Sequence, residues 1–192
     1  MAIVKLTKKG YGQIELNQVA WRRDGRIEAQ CKLDAEQFPA DAKEIGAVAE
    51  NGMLFAIDNV TRTLKKATLA LAASEMIGIN YSTEHIYDER NSGLKDFYLT
   101  GGENFLPRLG YLAAGDKFTL NTVCYDNSAF ADEDAIAEAI ANGVVYAGIA
   151  SDESGYWELS KSAPAAGPVA RAIALCDMPD GQVAIKLQVI KA

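Results

Sequence analysis

The chain has 192 residues, 49% hydrophobic and 23% charged, enough apolar content for one well-filled core and wrong for a disordered, collagenous or coiled-coil chain. Nineteen basic and 26 acidic groups leave a net charge of −7, a field that repels nucleic acid and anionic membrane. One histidine, His85, and three cysteines at 31, 124 and 176 are too few and too scattered for the usual zinc, haem or triad sites, so no metal or cofactor is expected.

The first 30 residues stand apart. They carry six basic groups (Lys5, Lys8, Lys9, Arg22, Arg23, Arg26) and three acidic ones (Glu15, Asp24, Glu28), a charge of +3, which leaves −10 on the remaining residues from 13 basic and 23 acidic groups. With Tyr11 and Trp21 interleaved, residues 1–25 read as an N-terminal arm that docks on an acidic partner surface, or as a solvated first hairpin with Asp24-Gly25 at its tip. The interface candidates are therefore Lys5, Lys8, Lys9, Tyr11, Trp21, Arg22, Arg23 and Arg26. The segment Met1 to Leu6 has no secretion-signal pattern, and no window approaches the roughly 20 apolar residues of a membrane helix, so a reducing cytosol is expected for synthesis. In that setting Cys31 and Cys176 read as buried thiols.

From residue 26 onward the dominant hydrophobic period is two. Ile27, Ala29, Cys31 and Leu33 alternate with Arg26, Glu28, Gln30 and Lys32, which predicts a strand with one wet face. Further short strands are expected at 53–57, 67–71, 76–81, 97–99, 117–125, 144–149 and 156–159, mostly separated by Gly, Asn and Asp clusters such as Glu50-Asn-Gly52. One segment has helical spacing. Asp132-Glu-Asp134 supplies an acidic first turn, Ile136 and Ile140 lie four apart, and Asn142-Gly143 offers a left-handed stop, so a short helix is expected near 132–142.

The C-terminal end predicts a hairpin. Val169, Ile173 and Leu175 alternate with Ala170, Ala172, Ala174 and Cys176, a uniformly small face against which something should pack closely. Val183, Ile185, Leu187 and Val189 alternate with Gln182, Ala184, Lys186 and Gln188, and Asp177-Met-Pro-Asp-Gly181 between the two runs supplies the turn. The fold expected is all-β and helix-poor, an antiparallel β-barrel or β-sandwich with residues 26–192 as a single barrel-like domain.

No constellation argues for catalysis. Glu84, His85 and Asp88 lie close together, but a zinc site needs at least one more His or Cys held nearby. Asp132, Glu133, Asp134 and Glu138 are explained by helix capping, since a calcium loop needs ligands at alternate positions around a turn glycine. Thr100-Gly-Gly102 and Ala114-Gly-Asp116 extend to neither a P-loop nor a dinucleotide fingerprint. Tyr146, Tyr156 and Trp157 would suit a sugar-stacking platform, a carbohydrate-binding alternative to core packing.

The run Pro107-Arg-Leu109, Leu112, Gly115-Asp-Lys-Phe-Thr119 and Asn121, with Gly52-Met-Leu-Phe-Ala-Ile-Asp58 before it and a strand-turn-strand close after it, resembles the head decoration or cement proteins of tailed bacteriophages. The similar part runs from about Gly46 to Ala192. The resemblance implies a virion structural protein on the capsid exterior, assembled in the host cytoplasm, without enzymatic activity. Its implied partners are the phage major capsid protein and further copies of itself, a trimer favoured, with no nucleic acid and no membrane. A phage tail-tube or head-tail connector protein is the alternative within the same class.

Overall fold

The computed structural model describes residues 2–15, 27–28 (backbone only), 31–82, 97–101 and 106–192. Among the described residues are thirteen strands: β1 (Ile3–Lys5), β2 (Ile27–Glu28), β3 (Lys32–Leu33), β4 (Leu54–Asp58), β5 (Thr63–Lys66), β6 (Met76–Asn80), β7 (Leu109–Tyr111), β8 (Lys117–Leu120), β9 (Val123–Asp126), β10 (Tyr146–Ile149), β11 (Trp157–Ser160), β12 (Val169–Asp177) and β13 (Val183–Lys191). They form a seven-stranded sheet, β1-β9-β11-β10-β12-β13-β8, and a six-stranded sheet, β2-β7-β6-β4-β5-β3. The protein is thus mostly β, as the period-two pattern predicts, with one α-helix among the described residues, α1 (Glu133–Asn142). The sheets are mixed, not purely antiparallel. β9 runs parallel to β11 and β3 runs parallel to β5.

Chain connectivity forces both sheets to curl. β8 and β9 are joined by Asn121-Thr122 alone, yet five strand steps separate them in the sheet order. Three Cα–Cα steps span at most about 11 Å, whereas five strand spacings laid flat cover about 24 Å. The same arithmetic holds in the second sheet. Only four steps, about 15 Å, lead from Glu28 in β2 to Lys32 in β3 at the opposite edge. Neither ladder closes into a barrel, and the two curled sheets stack in a sandwich-like arrangement. The predicted single strands at 26–33 and 117–125 are accordingly each a pair of short strands that the curl assigns to distant ladder positions.

Each sheet wraps its own apolar cluster. One contains Phe118, Leu120, Val123, Tyr125, Ala147, Ile149, Trp157, Leu159, Ala170, Ile185 and Leu187, roofed by Leu54, Ile79 and Ile136. The other contains Phe38, Ala49, Met53, Phe55, Ile57, Leu64, Leu99, Leu109 and Tyr156. β4 is buried on both faces because Leu54 points to one cluster and Phe55 and Ile57 to the other. That is why Met53 to Ile57 reads as an unbroken apolar run.

Several local predictions hold. Asp132 Oδ1 accepts the Ala135 N–H at 2.8 Å and caps α1, with Glu133 and Asp134 in its first turn. The helix packs on β12, where Ala170 and Ala172 are buried, so the small-residue face is the inner one. β12 and β13 form the expected hairpin with Gly181 at φ 77° in the turn. Other local expectations give way. The strand near 67–71 is instead β5, four residues earlier, followed by a 3₁₀ turn at Leu71–Ala73. Of 97–99 only Leu99 pairs, with Ala49. Helix α1 ends at a Gly143 with extended backbone, φ −167°, not a left-handed one.

Of the two readings of the N-terminal segment, residues 2–15 fit a strand and loop laid on the body and not a free arm, though β1 pairs with β9 and not within a first hairpin. β1 pairs in register with β9, Leu6 and Ile14 are buried, and Ile14 bridges Leu120. Residues 16–26, including the Asp24-Gly25 tip, lie outside the described residues. Deleting residues 1–15 should therefore abolish cooperative folding. It removes an edge strand and two core side chains, each worth about 2–5 kcal/mol when truncated, from a total stability of roughly 5–15 kcal/mol. Loss of near-ultraviolet circular dichroism and of a sigmoidal thermal transition is the expected readout.

Candidate functional site

Glu50 is a carboxylate whose side chain has no solvent exposure. It lies in the turn Glu50-Asn-Gly52 that leads into β4. Lys8 Nζ sits 2.5 Å from Glu50 Oε1 and 2.7 Å from the Tyr156 hydroxyl, and its side chain is only 5% exposed. The Tyr156 hydroxyl in turn donates to Glu50 Oε2. The Gly12 N–H donates to Glu50 Oε1 at 2.6 Å. Both carboxylate oxygens are thus matched, as burial of a charge requires.

A wider polar frame holds this centre in place. The Asn80 carboxamide donates to Glu50 O at 2.8 Å, Ser82 N–H to Asn51 Oδ1 at 3.0 Å, and the Thr122 hydroxyl to Asn51 O. Gln13 N–H donates to Asn121 Oδ1 at 2.7 Å. The short link between β8 and β9 therefore grips the turn before β4 on one side and the N-terminal segment on the other. Thr122 comes so close that a Cβ on Gly12 or Gly52 would lie 2.5 or 2.6 Å from its hydroxyl oxygen. Only glycine fits at these two positions.

Two further lysines converge here. Lys5 Nζ lies 4.3 Å from the centroid of the Tyr156 ring, and Lys8 Nζ 4.8 Å from it. Lys66 Nζ donates to Gly46 O at 2.6 Å and lies 5.1 Å from the Phe38 ring centroid. Burial lowers the Lys8 pKa, partly opposed by the Glu50 charge. Burial and then Lys5 lower that of Lys66. Burial first, and then the Glu50 charge, push the Tyr156 phenol well above its ordinary value. Cys124, buried beside this centre, is pushed up by burial as well, so its thiol stays protonated and inert.

The sequence-derived candidates divide accordingly. Lys5 and Lys8 are drawn into the centre, Lys5 half-buried and the Lys8 side chain almost wholly covered. Lys9 is exposed, with its N–H on Gln182 Oε1 at 2.5 Å. Tyr11 is half-buried, its ring centroid 4.5 Å from that of Tyr98 at a 40° tilt, and its hydroxyl donates to Lys43 O at 2.5 Å. Trp21, Arg22, Arg23 and Arg26 lie outside the described residues, as do Glu84, His85 and Asp88. Tyr156 and Trp157 are fully buried, so no sugar ring can stack on them and that platform is withdrawn. Cys31 is buried as expected, whereas Cys176 is half-buried.

Sequence reasoning passed over Glu50 because it reads as turn chemistry. Its partners are 42 and 106 residues away. The available signal was one acid inside the apolar stretch Ala47-Val-Ala-Glu-Asn-Gly-Met53.

A second feature lies at the junction of the sheets. A recess of about 420 Å³ is lined by Ala72, Met76, Ile77, Tyr111, Leu112 and Pro168, with Glu75 and Lys191 among its polar lining. Met76 is 59% exposed there. Neither known protein families, nor curated proteins, nor solved structures contain a match to this chain.

The burial of Tyr156 carries a pH signature. Its folded pKa is raised, so its contribution to stability is complete below the ordinary phenol value of 10.0 and is lost as pH rises past it, because the unfolded chain ionises first. Chemical denaturation between neutral pH and strongly alkaline pH should show a stability decline in the wild type that is shallower in Tyr156→Phe.

Proposed function

We propose that this chain is a virion structural protein that binds the outside of a tailed-phage capsid and stabilises it by bridging capsomers. The reading rests on the resemblance carried by Pro107 to Asn121, and a surface observation supports it. The apolar recess between the two sheets, with the exposed Met76 among its lining, offers an anchor pocket. Large apolar side chains left in water mark a contact surface. The polar lining, Glu75 and Lys191, suits the mixed rim of such a contact.

The segment that carries the resemblance has a structural task. Asp116 Oδ2 accepts the Ala113 N–H at 2.7 Å, Gly115 N–H donates to Val189 O, and Val189 N–H donates to Asp116 O. This turn ties β7 of one sheet to β8 and β13 of the other, and so sets the shape of the recess. On the capsid, symmetric copies would sit around a symmetry axis, three-fold in the favoured case. The protein turns over no substrate in this reading.

Mixing the purified chain with preformed, undecorated capsids tests it. Sedimentation with the shell is expected, and Met76→Glu, which places a charge at the recess without touching the core, should weaken binding by about tenfold or more. Failure to bind shells, together with self-assembly into rings, would instead favour the tail-tube alternative.

A further inference from the structure

The Lys8–Glu50–Tyr156 centre has the parts of a bond-forming site as well as of an ion pair. Nζ of Lys8 lies 2.5 Å from Glu50 Oε1, so it is no further than about 3.7 Å from the carboxyl carbon, one C–O bond length of roughly 1.23 Å beyond. That is near the separation of a near-attack pair, held in place by the surrounding fold. The Tyr156 hydroxyl contacts both reacting groups, accepting from Lys8 Nζ and donating to Glu50 Oε2. The Gly12 N–H points at Glu50 Oε1. Two donors therefore face the oxygens on which charge would build up during attack on the carboxyl carbon.

We propose that Lys8 and Glu50 join in an intramolecular isopeptide bond, formed by the folded chain itself with the Tyr156 hydroxyl as proton shuttle. The steps balance without a co-reactant. Tyr156 passes its proton to Glu50 Oε2 and takes one from the Lys8 ammonium, leaving a neutral amine and a carboxylic acid. The amine lone pair forms the Nζ–Cδ bond as the carbonyl π pair moves onto oxygen. Collapse of that intermediate breaks one Cδ–O bond, and the departing hydroxyl takes a proton from nitrogen and leaves as water. The products are one amide and one water, with neither charge remaining.

Burial favours this outcome on two counts. Isolating the pair from water lowers the proton affinity of the amine, which makes the nucleophilic form more accessible. Replacing a desolvated cation and anion by a neutral amide also removes the cost of holding two charges in a dry site. The bond would clamp the segment following β1, the edge strand of the seven-stranded sheet, to the turn before β4 across 42 residues of chain. Such a cross-link restricts the unfolded chain as a disulfide does, but survives a reducing cytosol.

The intact mass of the purified, denatured wild-type chain decides the matter, with no variant required. The expected mass is one water below that of the linear sequence, and proteolysis should release a branched peptide joining the fragment of Lys8 to that of Glu50. Lys8→Arg and Glu50→Ala should each return to the full mass, while Tyr156→Phe should acquire the bond more slowly during incubation. A wild-type mass equal to the linear sequence after prolonged incubation of the folded protein overturns the proposal. So does a water loss that maps elsewhere, such as to Asp180-Gly181.

Discussion

A carboxylate shut off from water must be matched group by group, and the matching of Glu50 organises much of this molecule. Lys8 and Gly12 from the N-terminal segment and Tyr156 from just before β11 come together to meet it. Removing any one partner would leave a charge or a lone pair unsatisfied in a dry site, which costs far more than the pair contributes when intact. The centre therefore acts less as a source of stability than as a specification: the N-terminal segment, the turn before β4 and the start of β11 have one mutual arrangement that satisfies it. Gly12 and Gly52 permit the close approach of Thr122 on which that arrangement depends.

The second constraint is geometric. Two short links, Asn121-Thr122 and the few residues between Glu28 and Lys32, connect strands that lie five positions apart in their sheets. A flat sheet cannot meet that condition, so each sheet wraps around its own cluster of side chains. The polar residues of the first link serve the buried centre directly, through Asn121 to Gln13 and through Thr122 to Asn51. Curl and polar centre therefore support each other, and the junction between the sheets opens on the far side as the apolar recess around Met76. The recess and the buried centre are separate features, one presenting apolar area and the other tying the N-terminal segment to the turn before β4.

Local chemistry was readable where a single segment contains the whole cause. The Asp132 cap, the alternation in Val183 to Val189 and the Asp-Gly turn at 180–181 each depend on residues a few positions apart, and each is found where its pattern places it. The small face of β12 correctly announced a close neighbour, which is helix α1. Where the reading went astray, a distant partner had intervened. The run from Lys117 to Tyr125 is strand on both sides of Asn121-Thr122, but its residues cannot show that the two halves pair with β13 and with β1 and β11. Likewise the basic residues at 5 and 8 look like a solvated arm until Glu50 and Tyr156, remote in sequence, are placed beside them.

Taken alone, the sequence determined that this chain folds around a large apolar core, mostly as strands, with one capped helix and a C-terminal hairpin. Those features follow from short-range periodicity, turn residues and capping, all of which act within a few residues. Only the tertiary structure decided that the sheets are mixed and curled, that residues 2–15 lie on the body, and that Lys8, Glu50 and Tyr156 share one dry site. The reason is physical: strand order and the pairing of buried charges depend on which distant segments meet, and neither hydrophobic period nor net charge encodes that meeting locally.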